Sequence, residues 1–293
     1  MLMALSQSDF VPDPAGPTSP AVDVIFTVAA GLAVLVGAAL SIRYFRRERT
    51  PLGFVCMAGG AVASLFEPIA AANGLVHYPR AGQVILFSAY GVDIPLFLTL
   101  AYTAEIGLGA LATWRLLRAG RGPNAIARVW LLIALGDILL ETPALWLHVF
   151  SYYGPQPLNL WGMPLYWAPL DGALGILPAV LIHLLHRPSW KIPQYLVTVA
   201  VFPSSVAIFY MGAGWPIFLL MHTGVALPWI WLASLASIGL TYLFVRGLAA
   251  LSTLPRDTVD EVRAVTWSWR AALWTPTSTG GALTTTPLPE GRP

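Results

Sequence analysis

The chain has very little cysteine and very little charge. Its single cysteine among 293 residues, Cys56, excludes an internal disulfide and any metal or redox centre built from several cysteines. Charged residues make up 10% of the chain, whereas a soluble domain has about 25%. Hydrophobic residues make up 57%, and the mean hydropathy is +0.69. These values exclude an ordinary soluble domain and predict an integral membrane protein.

Several motifs that would identify a function are also missing. No lysine lies in the last apolar run, which excludes a retinal Schiff base, and no pair of Asp-rich motifs exists to hold a magnesium diphosphate. The sequence has no glycine-rich phosphate loop and no nucleophile elbow, and its five histidines follow no ligand spacing. We therefore expect no metal site and no cofactor. The net charge of +2 does not indicate a nucleic-acid partner, because the basic residues lie in short loops between apolar runs.

Seven apolar runs are each long enough to cross about 30 Å of hydrocarbon. They lie near residues 21–42, 52–74, 93–115, 126–150, 164–186, 192–212 and 224–250. Basic residues cluster after the first, third, fifth and seventh runs, whereas the opposite side carries only Arg80. By the positive-inside rule, the N-terminus is then outside and the C-terminus cytoplasmic. The sequence thus predicts an all-α, multi-pass protein with seven transmembrane helices in a plasma membrane, and its excess of arginine over lysine suggests a bacterium.

The remaining segments complete the expected domain organisation. We expect a flexible outer tail over residues 1–20, the seven-helix membrane domain over 21–250, an amphipathic juxtamembrane helix over 251–274 and a disordered tail over 275–293. The apolar connector 75–92 is longer than a plain loop and suggests a short interfacial helix. No internal repeat is visible, which disfavours an inverted-repeat transporter.

Six carboxylic acids lie within the apolar runs after the first, and the only Lys or Arg residues in the runs that hold them are Arg115 and Arg128, which lie near the cytoplasmic ends. The six acids are Glu67, Asp93, Glu105, Asp137, Glu141 and Asp171. An ionisable group in a bilayer is costly and usually functional, and a buried acid without a cationic partner binds a proton rather than remain charged. The sequence therefore predicts neutral, proton-bearing acids in an apolar chamber.

The predicted orientation converts position along a helix into depth. Glu67 and Asp171 lie roughly 10 Å below the outer surface, at about 1.5 Å per residue, and Glu141 lies slightly deeper. Because these acids come from different helices at similar depths, we predict a common pocket and assign Glu67, Asp171 and Glu141 as its catalytic acids. A structural role is the alternative, since a carboxyl group near a proline can bond the carbonyl that the proline leaves free.

The roles expected for the other three acids are less specific. Asp93 is expected to cap the N-terminus of the third helix. Glu105 and Asp137 lie near the midplane, where they act either as interhelical hydrogen-bond partners or as a proton relay.

Aromatic residues and one asparagine cluster near the depth of the predicted pocket. Those assigned to substrate binding are Phe66, Asn73, Phe97, Tyr102, Trp146, Tyr153, Tyr166, Trp167, Tyr210 and Trp229. Trp and Tyr also favour the headgroup region, so an interface belt is the alternative for several of them. Beside proton-bearing acids, aromatic faces suit a reaction that passes through a carbocation, because the ring attracts the cation.

These features fit the protonation of an alkene or epoxide on an isoprenoid chain. The donor acid must be neutral, and a second acid or a tyrosine hydroxyl must stabilise the carboxylate that the proton leaves behind. Water must be kept from the cation, which would otherwise be quenched early. Such a reaction is a type II cyclisation, and it needs no metal ion.

In its seven runs and in the acid of Phe66-Glu67-Pro68, the chain resembles the small seven-helix integral-membrane terpene cyclases, the fungal meroterpenoid cyclases and their bacterial counterparts. The resemblance implies a lipophilic prenylated aromatic, quinone or indole-type substrate and no added cofactor. The fungal pattern also has an essential acid in the last helix, whereas residues 224–250 contain none. Asp171 or Glu141 would then take that place in space.

Two other functions remain open. A proton-coupled exporter or small-molecule carrier would use the same acids as a relay, and it predicts acids spread through the depth with a pathway open to both faces. A lipid-binding or assembly protein would use them as structural hydrogen-bond partners, so that changing one acid to its amide would leave function intact. The crowding of acids and aromatics toward one side favours the cyclase.

Overall fold

The computed structural model describes residues 17–255 and Thr258, and it is mostly helical. Its α-helices are α1 (Pro20–Glu48), α2 (Leu52–Ala63), α3 (Glu67–Gly74), α4 (Leu96–Arg118), α5 (Pro123–Trp146), α6 (Trp167–Ala173), α7 (Ile176–Leu185), α8 (Ile192–Ala207), α9 (Trp215–Met221) and α10 (Leu227–Leu251). Its strands are β1 (Val76–His77), β2 (Ile85–Ala89), β3 (Val92–Pro95), β4 (Ser151–Tyr152), β5 (Asn159–Leu160) and β6 (Met163–Pro164). Strand β1 pairs with β4, β2 with β3 and β5 with β6, each antiparallel.

Six helical segments are long and apolar enough to cross a membrane. They are Pro20–Glu48, Leu52–Gly74, Leu96–Arg118, Trp167–Leu185, Ile192–Ala213 and Leu227–Leu251. They correspond to six of the seven predicted spans and make the chain compatible with a multi-pass membrane protein. The remaining predicted span, 126–150, forms helix α5, which is not among the six and which carries Asp137 and Glu141.

Two of the six segments change their helical geometry partway. The second passes from α2 through a 3₁₀ turn at Ser64–Phe66 into α3, and the fifth passes from α8 into a π-helical turn at Ile208–Ala213. Pro68 lies at the start of α3, where its missing N–H leaves no intrahelical bond unmade. The 3₁₀ turn directly precedes Glu67, and the π-helical turn contains Tyr210. Such turns often occur at functional sites.

The connector between α3 and α4 contains a β-hairpin, so the interfacial helix predicted over 75–92 is wrong. Strands β2 and β3 are joined by Tyr90 and Gly91, whose φ angles of 54° and 74° suit the left-handed turn of a two-residue hairpin. The side chains of Ile85–Ala89 alternate in burial with the strand period of two. That alternation is incompatible with a helix, in which the apolar positions would recur every three or four residues.

The prediction that Asp93 caps α4 is also wrong, since the residue before α4 is Pro95. Asp93 lies in β3, where its carboxylate accepts hydrogen bonds from Arg80 Nη2 at 2.7 Å and Nε at 2.9 Å. The Arg80 guanidinium holds the pKa of Asp93 below its usual range. Asp93 is therefore an ion-paired surface acid of the hairpin, unlike the other five acids of the apolar runs.

Glycines allow two pairs of helices to approach closely. A Cβ atom on Gly60 of α2 would lie 2.5 Å from the carbonyl oxygen of Tyr102 on α4. A Cβ atom on Gly172 of α6 would lie 2.8 Å from the carbonyl oxygen of Trp130 on α5. Small residues at such contacts let backbones pack directly against each other, as is common between membrane helices.

The predicted terminal segments are described only in part. Near the end of the predicted 1–20 tail, Thr18 Oγ1 donates to the carbonyl oxygen of His148 at 2.8 Å and accepts from the Gln83 side chain at 3.0 Å. Helix α10 ends at Leu251, and most of the juxtamembrane helix predicted over 251–274 lies outside the described residues, as does all of the tail predicted over 275–293.

Candidate functional site

A cavity of about 520 Å³ lies among α1, α3, α4, α5 and α6. Five acids line it, namely Glu67, Glu105, Asp137, Glu141 and Asp171. Eight aromatic residues line it as well, namely Phe26, Tyr78, Phe97, Tyr102, Phe150, Tyr152, Trp167 and Tyr210. The other described lining residues are aliphatic, and the described lining includes no Lys, Arg or His. The three acids predicted to be catalytic therefore share one chamber, while their catalytic role stays a prediction.

Glu67 is held at the chamber wall by two tyrosines. Its side chain is 5% exposed, and its Oε1 accepts a hydrogen bond from the Tyr78 hydroxyl at 2.7 Å. The Tyr102 hydroxyl donates to Oε2. Burial raises the pKa of Tyr78 well above its usual value, so this hydroxyl stays protonated and can donate. The Glu67 carboxyl group thus bonds hydroxyls rather than the carbonyl freed by Pro68, which was its alternative structural role.

The Tyr102 hydroxyl that bonds Glu67 lies next to a second tyrosine hydroxyl, which bonds another acid. The hydroxyl oxygens of Tyr102 and Tyr210 are 3.3 Å apart, and the Tyr210 hydroxyl donates to Oδ1 of Asp171. Tyr210 lies in the π-helical turn at Ile208–Ala213, which brings its ring to the chamber from the fifth apolar segment. Two acids on different segments therefore accept hydrogen bonds from two tyrosine hydroxyls that lie side by side.

Three acids form a cluster on another part of the wall. One carboxylate oxygen from each of Asp137, Glu141 and Asp171 lies within 4.8 Å of the others. Asp137 and Glu141 are four residues apart on α5 and so share a helix face, while Asp171 comes from α6. The Tyr152 hydroxyl donates to Oε2 of Glu141 at 2.8 Å. Glu105, which was expected at the midplane with Asp137, also lines the chamber.

Aromatic rings form much of the chamber wall. The Trp167 ring packs edge-on to Tyr210 with a centroid distance of 5.2 Å, and it contacts Tyr152 at 6.0 Å. Phe26 and Phe97 pack against each other at 6.0 Å. A cation within about 6 Å of such ring faces is attracted by the ring quadrupole. The chamber therefore combines acid groups with surfaces that stabilise positive charge.

Four of the ten predicted substrate-binding residues line the chamber, namely Phe97, Tyr102, Trp167 and Tyr210. The other six do not, namely Phe66, Asn73, Trp146, Tyr153, Tyr166 and Trp229. Trp146 and Trp229 are 64% and 61% exposed, which fits the interface belt that was their alternative. Tyr166 is buried behind the wall, where its ring stacks on Trp167 and its hydroxyl donates to Gln156 at 3.0 Å.

Sequence reasoning did not assign four of the eight lining aromatics, namely Phe26, Tyr78, Phe150 and Tyr152. Tyr78 and Tyr152 lie in connectors, and β1 brings these connectors together by pairing Val76 with Tyr152. That pairing is long-range, so no local pattern reveals it. Phe26 lies on α1. No acid of α1 lines the chamber, so the positions of the acids in the sequence did not point to this helix.

In comparisons with known proteins, no protein-family model, no curated protein and no solved structure matches this chain.

Proposed function

We propose that the protein is an integral-membrane terpene cyclase that starts its reaction by protonating an isoprenoid chain, with Glu67 as the proton donor. One observation carries the proposal. Glu67 is a buried acid at the wall of an aromatic chamber, and each of its oxygens accepts a hydrogen bond from a tyrosine hydroxyl. That arrangement supplies both requirements of the reaction, a neutral acid and donors that stabilise the carboxylate after the proton has left.

The proton is conserved over the proposed reaction. The O–H bond of Glu67 breaks as a C–H bond forms at one end of an alkene, and Tyr78 and Tyr102 stabilise the resulting carboxylate. The alkene's other carbon becomes a cation, which a second alkene attacks to close a ring, and Trp167 and Phe97 face the charge. Loss of a proton from the final cation to the Glu67 carboxylate restores an alkene and regenerates the protonated acid.

The other two predicted catalytic acids have supporting roles in this proposal. Asp171 accepts from Tyr210 and so orients the hydroxyl chain that leads to Glu67. Glu141 accepts from Tyr152 and keeps that ring against Trp167. The substrate class is a lipophilic prenylated aromatic, quinone or indole, which a chamber of about 520 Å³ with a mostly apolar lining suits in size and polarity.

We also propose that α5 crosses the membrane, giving seven spans with the N-terminus outside and the C-terminus cytoplasmic in a bacterial plasma membrane. Two observations support this. Strand β4, which follows α5, pairs with β1, which follows α3, so both connectors lie at one end of the bundle. Helix α5 is 24 residues long, or about 36 Å at 1.5 Å per residue, which exceeds the hydrocarbon thickness of about 30 Å.

A proton-coupled exporter or carrier is the second candidate. The observation that favours it is the series of contacts from Glu67 through the adjacent hydroxyls of Tyr102 and Tyr210 to Asp171, which also suits a proton relay. A carrier returns its substrate unaltered and couples its movement to a proton flux. Product analysis therefore separates the two candidates.

The proposed function is tested by feeding farnesylated and geranylated aromatics to a host that makes the chain, followed by mass spectrometry and NMR of the extracts. We expect a product of unchanged mass with fewer double bonds. Glu67→Gln should abolish it, because the amide keeps the shape but supplies no acidic proton.

The matched control is Glu48→Gln. Glu48 also accepts a hydrogen bond from a tyrosine, Tyr44, at 3.0 Å, and it pairs with Arg118, but it does not line the chamber, so this variant should keep the activity. Full cyclisation by folded Glu67→Gln would remove Glu67 as the donor. If every substrate is recovered unaltered and reconstituted vesicles show a substrate-dependent proton flux, these results would favour the carrier.

A further inference from the structure

The close spacing of three acids on α5 and α6 has no role in the proposed protonation of an alkene by Glu67. Asp137, Glu141 and Asp171 each bring one carboxylate oxygen to within 4.8 Å of the other two. Three like charges at that spacing repel one another strongly unless they are neutralised. We propose that these three acids bind one divalent metal cation.

The backbone is built to keep the three acids together. Gly172 directly follows Asp171 and packs so closely on α5 that a Cβ atom would lie 2.8 Å from the carbonyl oxygen of Trp130 and 3.0 Å from the nitrogen of Ala134. The indole N–H of Trp130 donates to the carbonyl oxygen of Pro169 at 2.8 Å, which fixes α6 against α5 a second time. The distance between the two helices, and with it the spacing of the acids, is therefore set by direct backbone contact.

A second observation points to a ligand at the cluster. The Asp137 side chain is 6% exposed, and among the described residues its Oδ2 has no hydrogen-bond partner. Leaving a buried carboxylate oxygen unpaired is costly, and buried charges in proteins are normally paired or bound to a metal. A cation held between Asp137 and the two neighbouring acids would satisfy that oxygen.

The hydrogen bonds of the other two acids match those of metal ligands. Tyr152 donates to Glu141 and Tyr210 donates to Asp171, each to one oxygen of the carboxylate. Ligating carboxylates are commonly oriented by such outer hydrogen bonds, which leave the second oxygen to the metal. Both hydroxyls thus hold a ligand in position without competing for the cation.

The donor set selects the class of cation. Three carboxylates without a nearby thiolate or imidazole form a hard, all-oxygen site, which suits Mg²⁺, Mn²⁺ or Ca²⁺. The adjoining cavity of about 520 Å³ has room for water or a ligand oxygen to complete the coordination. This inference goes beyond the proposed function, since Glu67 lies outside the cluster and donates its proton without the cation. It also departs from our expectation, drawn from sequence spacing, that the chain has no metal site.

The test is Mn²⁺ binding to the full chain in detergent, after treatment with a chelator, measured from the EPR signal of free Mn²⁺. We expect one Mn²⁺ per chain, displaced by Mg²⁺ or Ca²⁺. Asp137→Asn should weaken binding by at least about tenfold, since even outer-shell changes cost about 10–100-fold. This variant is nearly isosteric and breaks no hydrogen bond of the described structure, so it should fold. Glu141→Gln provides a second variant with the same expected loss.

Glu67→Gln is the matched control, because it changes an acid of the same chamber that is not in the cluster. It should bind Mn²⁺ as the unaltered chain does, and Mn²⁺ should raise the melting temperature of both but not of Asp137→Asn. No binding by the unaltered chain, or equal binding by Asp137→Asn, would overturn the proposal and leave a cluster that shares protons only. Since no substrate is used, this result is independent of whether the protein cyclises terpenes.

Discussion

At the scale of single residues, the environment of Glu67 differs from that of the other chamber acids. Both of its oxygens have a tyrosine donor, whereas Asp137 has a buried oxygen without a partner in the described structure. In a site with few polar groups, a hydroxyl aimed at a developing carboxylate is worth more than it is in water. The two tyrosines therefore decide how strong an acid Glu67 can be.

Tyr102→Phe tests this role, because it removes one donor while keeping the ring in the wall. We expect the rate of cyclisation to fall about 100-fold, in the range found when one donor to a developing negative charge is lost. Initial rates of product formation measure the effect. Tyr44→Phe is the control, since it removes a tyrosine–glutamate hydrogen bond outside the chamber. Equal rates for Tyr102→Phe and the unaltered chain would contradict the role of this hydroxyl.

Two tryptophans that sequence reasoning treated alike have different expected effects. Trp167 is 3% exposed and lines the chamber, whereas Trp146 is 64% exposed and does not. Trp167→Ala should therefore give products quenched by water before cyclisation is complete, because a cation-stabilising face is lost. Trp146→Ala should leave the product spectrum unchanged. Gas or liquid chromatography with mass detection compares the two, and identical spectra would remove Trp167 from the cation wall.

At the scale of helices and strands, the apolar segments were predictable and the connectors were not. Hydrophobic runs of about 20 residues identify spans because length and composition are local properties. The apolar content of the hairpin Ile85–Pro95 also suits an interfacial helix, and only the alternation of its side chains and the Tyr90-Gly91 turn distinguish the two structures. The contact between β1 and β4 joins distant connectors and has no local signal.

Gly60→Ala tests whether close packing of α2 on α4 positions the site. The added Cβ would lie 2.5 Å from the carbonyl oxygen of Tyr102, so the helices must separate and Tyr102 must shift relative to Glu67. We expect a loss of about 1–3 kcal/mol in stability, as for other overpacked cores, together with lower activity. Thermal unfolding in detergent measures the change. Gly31→Ala, where no atom lies within 4 Å of the added Cβ, should be neutral or slightly stabilising, and a loss of the same size there would contradict this explanation.

At the scale of the whole molecule, the sequence predicted a multi-pass helical protein and a chamber lined by acids, and the structure has six helical segments able to span a membrane and an acid-lined chamber. The sequence could not predict that Glu105 and Asp137 face the chamber, because the rotation of a helix about its axis depends on the helices packed against it. Nor could it predict which tyrosines bond which acids, because those bonds connect α3, α4, α6 and the π-helical turn.

The proposed topology makes a separate prediction about which connectors are outside the cell. Single cysteines at Ala81, Arg121 and Pro155 lie in the connectors after α3, α4 and α5, and all three positions are exposed. A membrane-impermeant maleimide on intact cells should label Ala81→Cys and Pro155→Cys, and it should label Arg121→Cys only after permeabilisation. The native Cys56 is 1% exposed and should give little background. Labelling of Arg121→Cys in intact cells would contradict the proposed orientation and the crossing of α5.

The most direct test of the central claim is cyclisation in deuterated water. If Glu67 exchanges with solvent and protonates an alkene, the cyclised product from the unaltered chain should carry deuterium at the carbon that received the proton. Glu67→Gln, checked for folding, should give neither the product nor the label. A cyclised product from Glu67→Gln, labelled or not, or a first-turnover product without deuterium from a chain equilibrated in deuterated water, would contradict protonation by Glu67.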